Sequence, residues 1–232
     1  PVRWDNMLMK TSPTQRAQTQ GGASLIIVLL ILIVVSILGV GGAQIALMAE
    51  RGARNDRDMQ IAWQAAEAGL IDAKVELTSG AASGARPSMF GLLAVSAATR
   101  YVQAEKVTTS NFVDGCGTST STNPAGLKTW GLCALPALTA SKPAWLTVDF
   151  TDTGNTARTV PVGTFTGRSF ATGSTGVRPS KAPRYIVELI PDQGAASRDK
   201  TTTDTKYVYR VTAMGFGPRD DIQAVVQMIY RN

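Results

Sequence analysis

The sequence has no histidine and only two cysteines among its 232 residues. Without histidine it lacks the commonest general base, the usual zinc ligand, and any Ser-His or Cys-His nucleophile pair. Two cysteines cannot by themselves complete a tetrahedral metal site. These absences argue against most hydrolases, and the sequence predicts no catalytic residue, no metal site and no cofactor.

Clustered basic residues are also missing, although the formal net charge is +6. The Lys and Arg residues are scattered, without a run of five or six and without aromatic residues placed between them to stack on bases. Because phosphate neutralisation requires clustered cations, we do not expect nucleic-acid binding. The charge is interpreted as a solvated basic surface.

The acidic residues do not form a recognisable site. No segment matches the D-x-[DN]-x-[DN]-G calcium loop with its closing glutamate. Six aspartates are therefore interpreted as loop residues that favour solubility: Asp149, Asp152, Asp192, Asp204, Asp220 and Asp221. Glu67 lies in an Ala-rich helical pattern, but its spacing places no second acid or nucleophile beside it. It is interpreted as a solvent or interface charge.

A long apolar run is the strongest feature that the sequence does contain. No residue from Ala17 to Ala49 is charged, and Ala23–Ala43 reads ASLIIVLLILIVVSILGVGGA. A bilayer core of about 30 Å needs ~20 helical residues, so this run predicts a single transmembrane helix. Lys10 and Arg16 precede it, and the positive-inside rule places the N-terminus in the cytoplasm and the rest outside. A cleaved secretory signal is disfavoured because its apolar region spans about 7–15 residues, with the small residues after it.

The apolar residues that follow recur largely at steps of three and four, which predicts an amphipathic helix. They are Ile45, Met48, Met59, Ala62, Trp63, Ala66, Leu70, Ala73 and Leu77. One continuous helix from about Ser24 to Leu77 is expected, with the charged residues from 50 to 58 marking where it leaves the lipid. Gly39, Gly41 and Gly42 predict either a bend or melted turn, or close helix packing through small residues; the sequence does not decide between them.

The remainder of the chain predicts an α+β head. Thr78–Arg86 is expected to be a turn, Phe90–Glu105 a helix and Asn111–Lys142 an irregular stretch. Strands are predicted at Trp145–Phe150, Thr159–Val162, Tyr185–Ile190, Lys206–Met214 and Ile222–Tyr230. Turn-joined strands favour an antiparallel sheet, and the amphipathic half of the long helix is the available cover for its apolar face.

Two strand patterns indicate which side chains face the core. In the last predicted strand, apolar Ile222, Ala224, Val226, Met228 and Tyr230 alternate with the other residues, so that one face is apolar throughout. Tyr207 and Tyr209 share one strand face, and core packing is favoured over a ligand platform.

The two cysteines, Cys116 and Cys133, lie in one Gly/Thr/Ser/Asn-rich stretch. An exported compartment permits oxidation and no CxxC spacing occurs, so a disulfide is favoured over free or redox-active thiols. Such a bond would contribute about 3 kcal/mol by restricting the unfolded chain. We expect it to order the loop 116–133 and to present Asn123, Lys128 and Trp130 to a partner.

Several segments resemble the type IV pilins, in particular the PilX type. Gly22-Ala23-Ser24-Leu25-Ile26, a small residue before a long apolar helix, resembles the type III signal of pilins. Glu50–Leu77, with RNDRDMQIAWQAAEAGL, resembles the PilX N-terminal region. Gly131-Leu132-Cys133, AWLTVDF, PRYIVELI and YRVTAMGFG…AVVQMIY resemble the C-terminal head. The resemblance implies a pilin-like α+β fold in which a long N-terminal transmembrane and amphipathic helix packs on an antiparallel sheet.

The resemblance also implies how the chain is processed and divided. A prepilin peptidase would cut after Gly22 and leave Ala23 as the N-methylated N-terminus. The expected parts are a leader (1–22), a transmembrane and assembly helix (23–49), the amphipathic half of that helix (50–77) and the head (78–232). Met9, or else Met7, is the expected natural start, preceded by an extension. The residues of the assembly helix expected to meet other pilin helices include Leu25, Ile27, Leu29 and Leu30.

The implied function is that of a minor pilin, a structural and non-enzymatic subunit that initiates a type IV pilus and supports its biogenesis, twitching motility and adhesion. The implied partners are other minor pilins, the major pilin, the prepilin peptidase, the inner-membrane assembly platform and a tip adhesin. The protein would be a single-pass inner-membrane protein before assembly and part of the extracellular pilus afterwards. A minor pseudopilin of a type II secretion system and a signal-anchored envelope enzyme are the alternatives.

One position departs from the pilin pattern. Most pilins carry a glutamate at the fifth mature position, which is Ile27 when counted from Ala23. A carboxylate in hydrocarbon costs about 2.5–3.5 kcal/mol unless it is paired, so its absence eases insertion but removes the pairing with a neighbouring subunit's amine. Either the subunit lacks one contact, or it lies at or near the tip, where no subunit above requires neutralising. We favour the tip.

Overall fold

The structure is a computed structural model that describes residues 23–79, 86–90, 92–94, 101–103, 107–134, 142–173, 177–192 and 207–231. The chain divides into two compact units, Pro1–Gly52 and Ala53–Asn232. The predicted leader 1–22, most of the predicted turn after Thr78, and Asp204 lie outside the described residues.

A single helix, α1 (Ala23–Ser79), contains both the apolar run and the amphipathic pattern. Proline is absent from it, so no backbone N–H is missing from its interior. The predicted continuous helix is thus confirmed. It is unbroken at Gly39, Gly41 and Gly42, and a Cβ atom added to any of them would meet nothing within 4 Å. The structure therefore shows no melted turn there, and packing against other helices through these glycines stays a prediction.

Seven strands are described, and five of them form the sheet of the second unit. They are β1 (Leu92–Ala94), β2 (Tyr101–Gln103), β3 (Leu132–Cys133), β4 (Val160–Pro161), β5 (Arg184–Pro191), β6 (Tyr207–Phe216) and β7 (Gln223–Tyr230). The strand order is β3-β5-β6-β7, and β4 also pairs with β5. The pairs among β4, β5, β6 and β7 are antiparallel, as predicted. β3 runs parallel to β5, with Leu132 opposite Val187, because it enters from a loop and not through a hairpin; the sheet is therefore mixed.

Two predicted elements are wrong. Within Phe90–Glu105, predicted as a helix, β1 and β2 pair antiparallel with Leu93 opposite Val102, so strand pairing outweighs the weak helical pattern of a short Ala-rich stretch. Trp145–Phe150, predicted as a strand, begins inside the short helix α2 (Ala144–Thr147). No described strand lies beside it, and its buried side chains pack instead on Ile186 of β5.

The part of α1 in the second unit covers the sheet with a face of small residues. The buried residues of this face are Ala62, Ala65, Ala66, Ala73 and Leu77. They pack, with Leu70 partly buried, on a core that includes Tyr185, Val187, Tyr209, Val211, Ala213 and Val226. The predicted amphipathic face is confirmed for these helical positions. It is wrong for Met59 and Trp63, which are 43% and 51% exposed.

Gly215 in β6 fixes how closely the helix and the sheet approach. A Cβ atom at this position would lie 2.2 Å from both the carbonyl oxygen of Ala62 and the backbone nitrogen of Ala66. No side chain fits in that distance, so only glycine lets the strand backbone touch the helix backbone. Gly69 on the helix has a similar role, because its Cβ would lie 3.0 Å from the Cβ of Ala213.

The strand patterns are confirmed. In β7, Ala224 and Val226 are buried while Val225, Gln227 and Ile229 are exposed. Tyr209 is fully buried and its hydroxyl donates to the carbonyl of Phe90 at 3.1 Å, and Tyr207 packs at the edge of the same core.

Replacing Gly215 with alanine is expected to lower the free energy of unfolding by roughly 1–3 kcal/mol, because the added methyl group overlaps the helix backbone. Gly173→Ala is the matched control, since its Cβ meets nothing closer than 4.0 Å, and it should change stability by less than about 0.5 kcal/mol. Urea unfolding of the detergent-solubilised protein, followed by tryptophan fluorescence, measures both. Equal effects of the two substitutions would contradict the close approach described for Gly215.

Candidate assembly surface

The apolar segment of α1 is exposed along its whole described length. No Asp, Glu, Lys or Arg occurs from Ala23 to Ala49, and this is the one helix among the described residues that is long and apolar enough to cross a membrane. Leaving such a surface in water costs about 25 cal/mol for each Å². The segment therefore requires lipid or other apolar helices around it, which is compatible with a membrane anchor that later packs into a fibre.

The residues predicted for processing and assembly fall at the beginning of this helix. Ala23 is the first residue of α1, whereas Gly22 lies outside the described residues. The predicted assembly residues Leu25, Ile27, Leu29 and Leu30 are 57–73% exposed, so their side chains are available to lipid or to partner helices. Cleavage after Gly22, methylation of Ala23 and these contacts remain predictions.

Two buried carboxylates hold the second half of α1 to the head. Asp72 accepts hydrogen bonds from the backbone N–H of Gly163 at 2.8 Å and from the hydroxyl of Thr166. One turn later, Glu76 accepts from the guanidinium Nε of Arg86 and from the hydroxyl of Tyr185, both at 2.7 Å. Both carboxylates are at most 1% exposed, so these bonds replace the water that each group loses on burial.

Arg86 extends the Glu76 contact to the loop 116–133. Its Nη1 donates to the carbonyl of Lys128 at 2.7 Å, and its guanidinium carbon lies 3.9 Å from the ring centre of Phe165. Its Nη2 is buried and has no hydrogen-bond partner among the described residues, so the cation–π contact is the main described interaction that compensates for its burial. Burial, followed by the charge of Glu76, raises the pKa of Tyr185 well above its ordinary value, so Tyr185 remains a neutral donor.

The loop 116–133 is closed by the predicted disulfide between Cys116 and Cys133. Backbone pairing continues on both sides of the bond, between Val113 and Cys133 and between Gly117 and Trp130. Gly131, just before β3, has φ +70°, and a Cβ there would lie 2.5 Å from the side chain of Val160. The bond thus joins the loop directly to the edge of the sheet.

The loop presents fewer side chains than predicted. The side-chain oxygen of Asn123 accepts from the backbone N–H groups of Ala125 and Leu127 at 3.0 and 2.9 Å, so it shapes the turn. Trp130 is half-buried and packs edge-on against Phe165. Of the three side chains predicted to be presented, Lys128 alone is exposed.

A second buried charge pair secures the opposite face of the sheet. Glu188 of β5 accepts from Arg210 of β6 at 2.9 and 3.0 Å and from the backbone N–H of Ala144 at 3.1 Å. Glu188 is fully buried. It therefore fixes α2 and the chain after it against the sheet.

Four of the aspartates interpreted as loop residues, those at 149, 152, 220 and 221, lie at turns or on the surface. The interpretation is wrong for Asp192, which is only 9% exposed. The aspartates at 192, 220 and 221 pair with Arg231, Lys181 and Arg219, and those at 149 and 152 bond to nearby turn residues. Glu67 is exposed and accepts a hydrogen bond from the indole of Trp63 at 2.9 Å, which agrees with its interpretation as a solvent or interface charge.

A cleft of about 290 Å³ is lined by Thr147, Val148, Asp149, Asp152, Thr156 and Arg158. Among the described residues, no three His, Cys, Asp or Glu side chains are grouped to hold a metal.

Comparison with known protein families gives two matches that together cover most of the chain. Residues 20–70 match the family described as PilX N-terminal, and residues 105–232 match the family described as type IV pilus assembly protein PilX C-term. No curated protein and no solved structure matches the chain. The second match alone spans more than half of the 232 residues.

Arg86→Met is expected to lower the free energy of unfolding by about 3–5 kcal/mol, because it leaves the Glu76 charge buried without its cation. Arg219→Met is the matched control, since its pair with Asp221 is exposed, and it should cost at most about 1 kcal/mol. The single variant Glu76→Gln and the double variant with Arg86→Met complete the cycle, and the double variant should be more stable than the sum of the two single effects predicts. Urea unfolding of wild type, the two single variants and the double variant measures the coupling, and strictly additive effects would show that the two side chains do not act as a pair.

Proposed function

Because this chain belongs to the PilX family of type IV pilus assembly proteins, a family of minor pilins, we propose that it helps to initiate the fibre from a position at or near its tip. The observation that carries the proposal is the exposed apolar segment of α1, in a chain whose second unit is held together by buried ion pairs. Such a segment is suited to insertion into a membrane and to packing against other apolar helices. Family membership points to a structural subunit and not to an enzyme.

The proposed sequence of events begins in the inner membrane. The chain spans it once, with the head on the outer side, and a prepilin peptidase removes residues 1–22 by cutting after Gly22. The amine of Ala23 is then methylated. The released helix, including Leu25, Ile27, Leu29 and Leu30, leaves the lipid and packs among the helices of other minor pilins and the major pilin, with the help of the inner-membrane assembly platform. The apolar segment exchanges one apolar surrounding for another, and because none of its side chains is charged, the transfer carries no desolvation cost for charged side chains.

The tip position rests on Ile27. A subunit with an apolar side chain there offers no carboxylate to neutralise the terminal amine of a subunit above it. An unpaired amine within a helical bundle is costly, so this subunit is best placed where nothing above it needs pairing. From that position it would contact a tip adhesin and support twitching motility and adhesion.

A minor pseudopilin of a type II secretion system would share this physical behaviour. The family that matches the C-terminal part of the chain is one of type IV pilus assembly proteins, and this favours the pilus. A gene neighbourhood with other minor pilins and a large adhesin is expected; a secretin-linked secretion operon would favour the pseudopilin.

Replacing Gly22 with valine is expected to abolish leader removal and to reduce surface pili strongly, because a branched side chain blocks the position preceding the scissile bond. Gly21→Val is the matched control and should be cleaved. Intact-mass measurement of membrane-extracted protein reports the leader and the methyl group on Ala23, and electron microscopy counts the pili. If the Gly22 variant were cleaved as completely as the wild-type chain, the proposal that the leader is removed after Gly22 would be wrong.

The tip position has its own measurement. Immunogold labelling of an epitope placed after Asn232 should mark fibre ends. Label distributed along the shafts would contradict the tip position, while leaving the minor-pilin assignment in place.

A further inference from the structure

β7 forms one edge of the sheet and is unusually open. It pairs with β6 along its whole length, from Phe216 opposite Gln223 to Tyr209 opposite Tyr230. Within the described part of the chain, no strand pairs with its other edge. The outward face of β7 carries two exposed apolar side chains, Val225 at 44% and Ile229 at 71% exposure.

The composition of β7 lacks the devices that protect edge strands. Natural edges are usually blunted by charged side chains, proline, bulges or short length. β7 is eight residues long, reads QAVVQMIY, and contains no charged residue and no proline. Its pairing with β6 runs without interruption. An edge of this kind favours the addition of another strand, with the main-chain hydrogen bonds supplying affinity.

The charges that flank β7 indicate which strand would fit. Asp221 lies just before the strand and Arg231 just after it. If two copies of β7 pair antiparallel with Val226 on the two-fold axis, Asp221 of one copy lies opposite Arg231 of the other. By symmetry, the same pair forms at the other end of the ladder. Val225 then lies opposite Gln227, and Gln223 opposite Ile229. In every such pair the two side chains lie on the same face of the sheet. The backbone N–H and C=O groups of the two paired residues also point the same way relative to the new edge, as an antiparallel ladder requires.

The two flanking charges are held differently within one copy. Asp221 pairs with Arg219 at 3.0 Å, and both side chains are about two-thirds exposed. An exposed pair of this kind is worth at most about 1 kcal/mol, so Asp221 can turn toward a second copy at little cost. Arg231 binds the carboxylate of Asp192, which is only 9% exposed, through its Nε and its Nη2, both at 3.1 Å. The side chain of Arg231 is itself 67% exposed, so it can keep this contact and offer its Nη1 to Asp221 of a second copy.

We propose that two copies of this chain associate through β7 to form one continuous sheet across their heads, with Asp221 and Arg231 paired at both ends of the new ladder. A two-fold axis perpendicular to the sheet reverses every direction in its plane, including that of the part of α1 that covers it. The two heads therefore face opposite ways. In the setting of the proposed function, on which this biological role rests, the contact joins two fibres that meet end to end, and not neighbours within one fibre.

The first test is the self-association of the purified full-length chain in detergent micelles, measured by sedimentation over a range of concentrations. The wild-type protein is expected to form reversible dimers. Arg231→Glu should raise the dissociation constant roughly tenfold, because it places like charges opposite each other at both ends. Adding Asp221→Arg should restore the constant to within about threefold of wild type. Lys181→Glu, the matched control, makes the same change in net charge at a residue outside the edge and should leave dimerisation unchanged.

A second measurement locates the contact. All described cysteines are in the disulfide, so a single Gln227→Cys variant should be joined into dimers by a short thiol cross-linker, since the two substituted positions are diagonal neighbours across the axis. Leu146→Cys, at an exposed position on α2, should not. An intact disulfide and an unchanged circular-dichroism spectrum confirm that each variant is folded.

Several results would overturn the proposal: a monomer at every concentration, equal losses in the Arg231 variant and the Lys181 control, no restoration in the double variant, or a β7-dependent complex with another pilin only. These outcomes are separate from the test of function, because purified protein needs neither cleavage nor a fibre. If the protein is monomeric but the strain makes normal pili, the β7 pairing alone is contradicted. If the protein forms dimers but its leader is never removed, the proposed function alone is contradicted.

Discussion

The carboxylate of Glu76 is the point at which helix, sheet and disulfide loop are held together. One of its oxygens accepts from Arg86 and the other from Tyr185 of β5, and Arg86 in turn donates to the carbonyl of Lys128. Glu76, Arg86 and Tyr185 are buried, so a group among them that lost its partner would be left unpaired away from water, at a large cost. The network fixes the rotation of α1 about its axis, because one step along the helix turns a side chain by about 100°. With that rotation fixed, the small residues of α1 lie against Gly215, and the core residues between the helix and the sheet are buried.

The two units of the chain differ in the kind of surface that they expose and the kind of group that they bury. The apolar segment from Ala23 to Ala49 contains no ionisable side chain and is exposed along its described length, so its stability depends on an apolar surrounding. The second unit buries charges in pairs, Glu76 with Arg86 and Glu188 with Arg210. Such pairs often add little net stability, but they penalise any arrangement that separates them. The first unit is therefore suited to changing partners, and the second to keeping one structure.

The elements with a clear period could be predicted from the sequence, and the polar contacts could not. The long proline-free helix, the strands β5, β6 and β7, the apolar face of β7 and the Cys116–Cys133 bond all followed from local pattern. Phe90–Glu105 was misassigned because pairing between β1 and β2 is a non-local contact. Asp72 and Glu76 were missed because a helical period treats charged residues as solvent-facing. Their spacing of four residues, on the face that carries Ala62, Ala66 and Ala73, was the available signal. Nothing local could show that Arg86, in a predicted turn, would complete the pair.

The disulfide also bears on a contact outside its own loop. The carbonyl that accepts from Nη1 of Arg86 belongs to Lys128, inside the segment that Cys116 and Cys133 enclose. Reduction of the bond would remove the covalent closure of this segment, and the position of that carbonyl would then depend on hydrogen bonds and packing alone. Arg86 is buried where it pairs with Glu76, so an acceptor that moved away would leave a buried donor unpaired, at a cost of about 1–3 kcal/mol. A covalent bond in the loop thereby supports an electrostatic contact between the helix and the sheet.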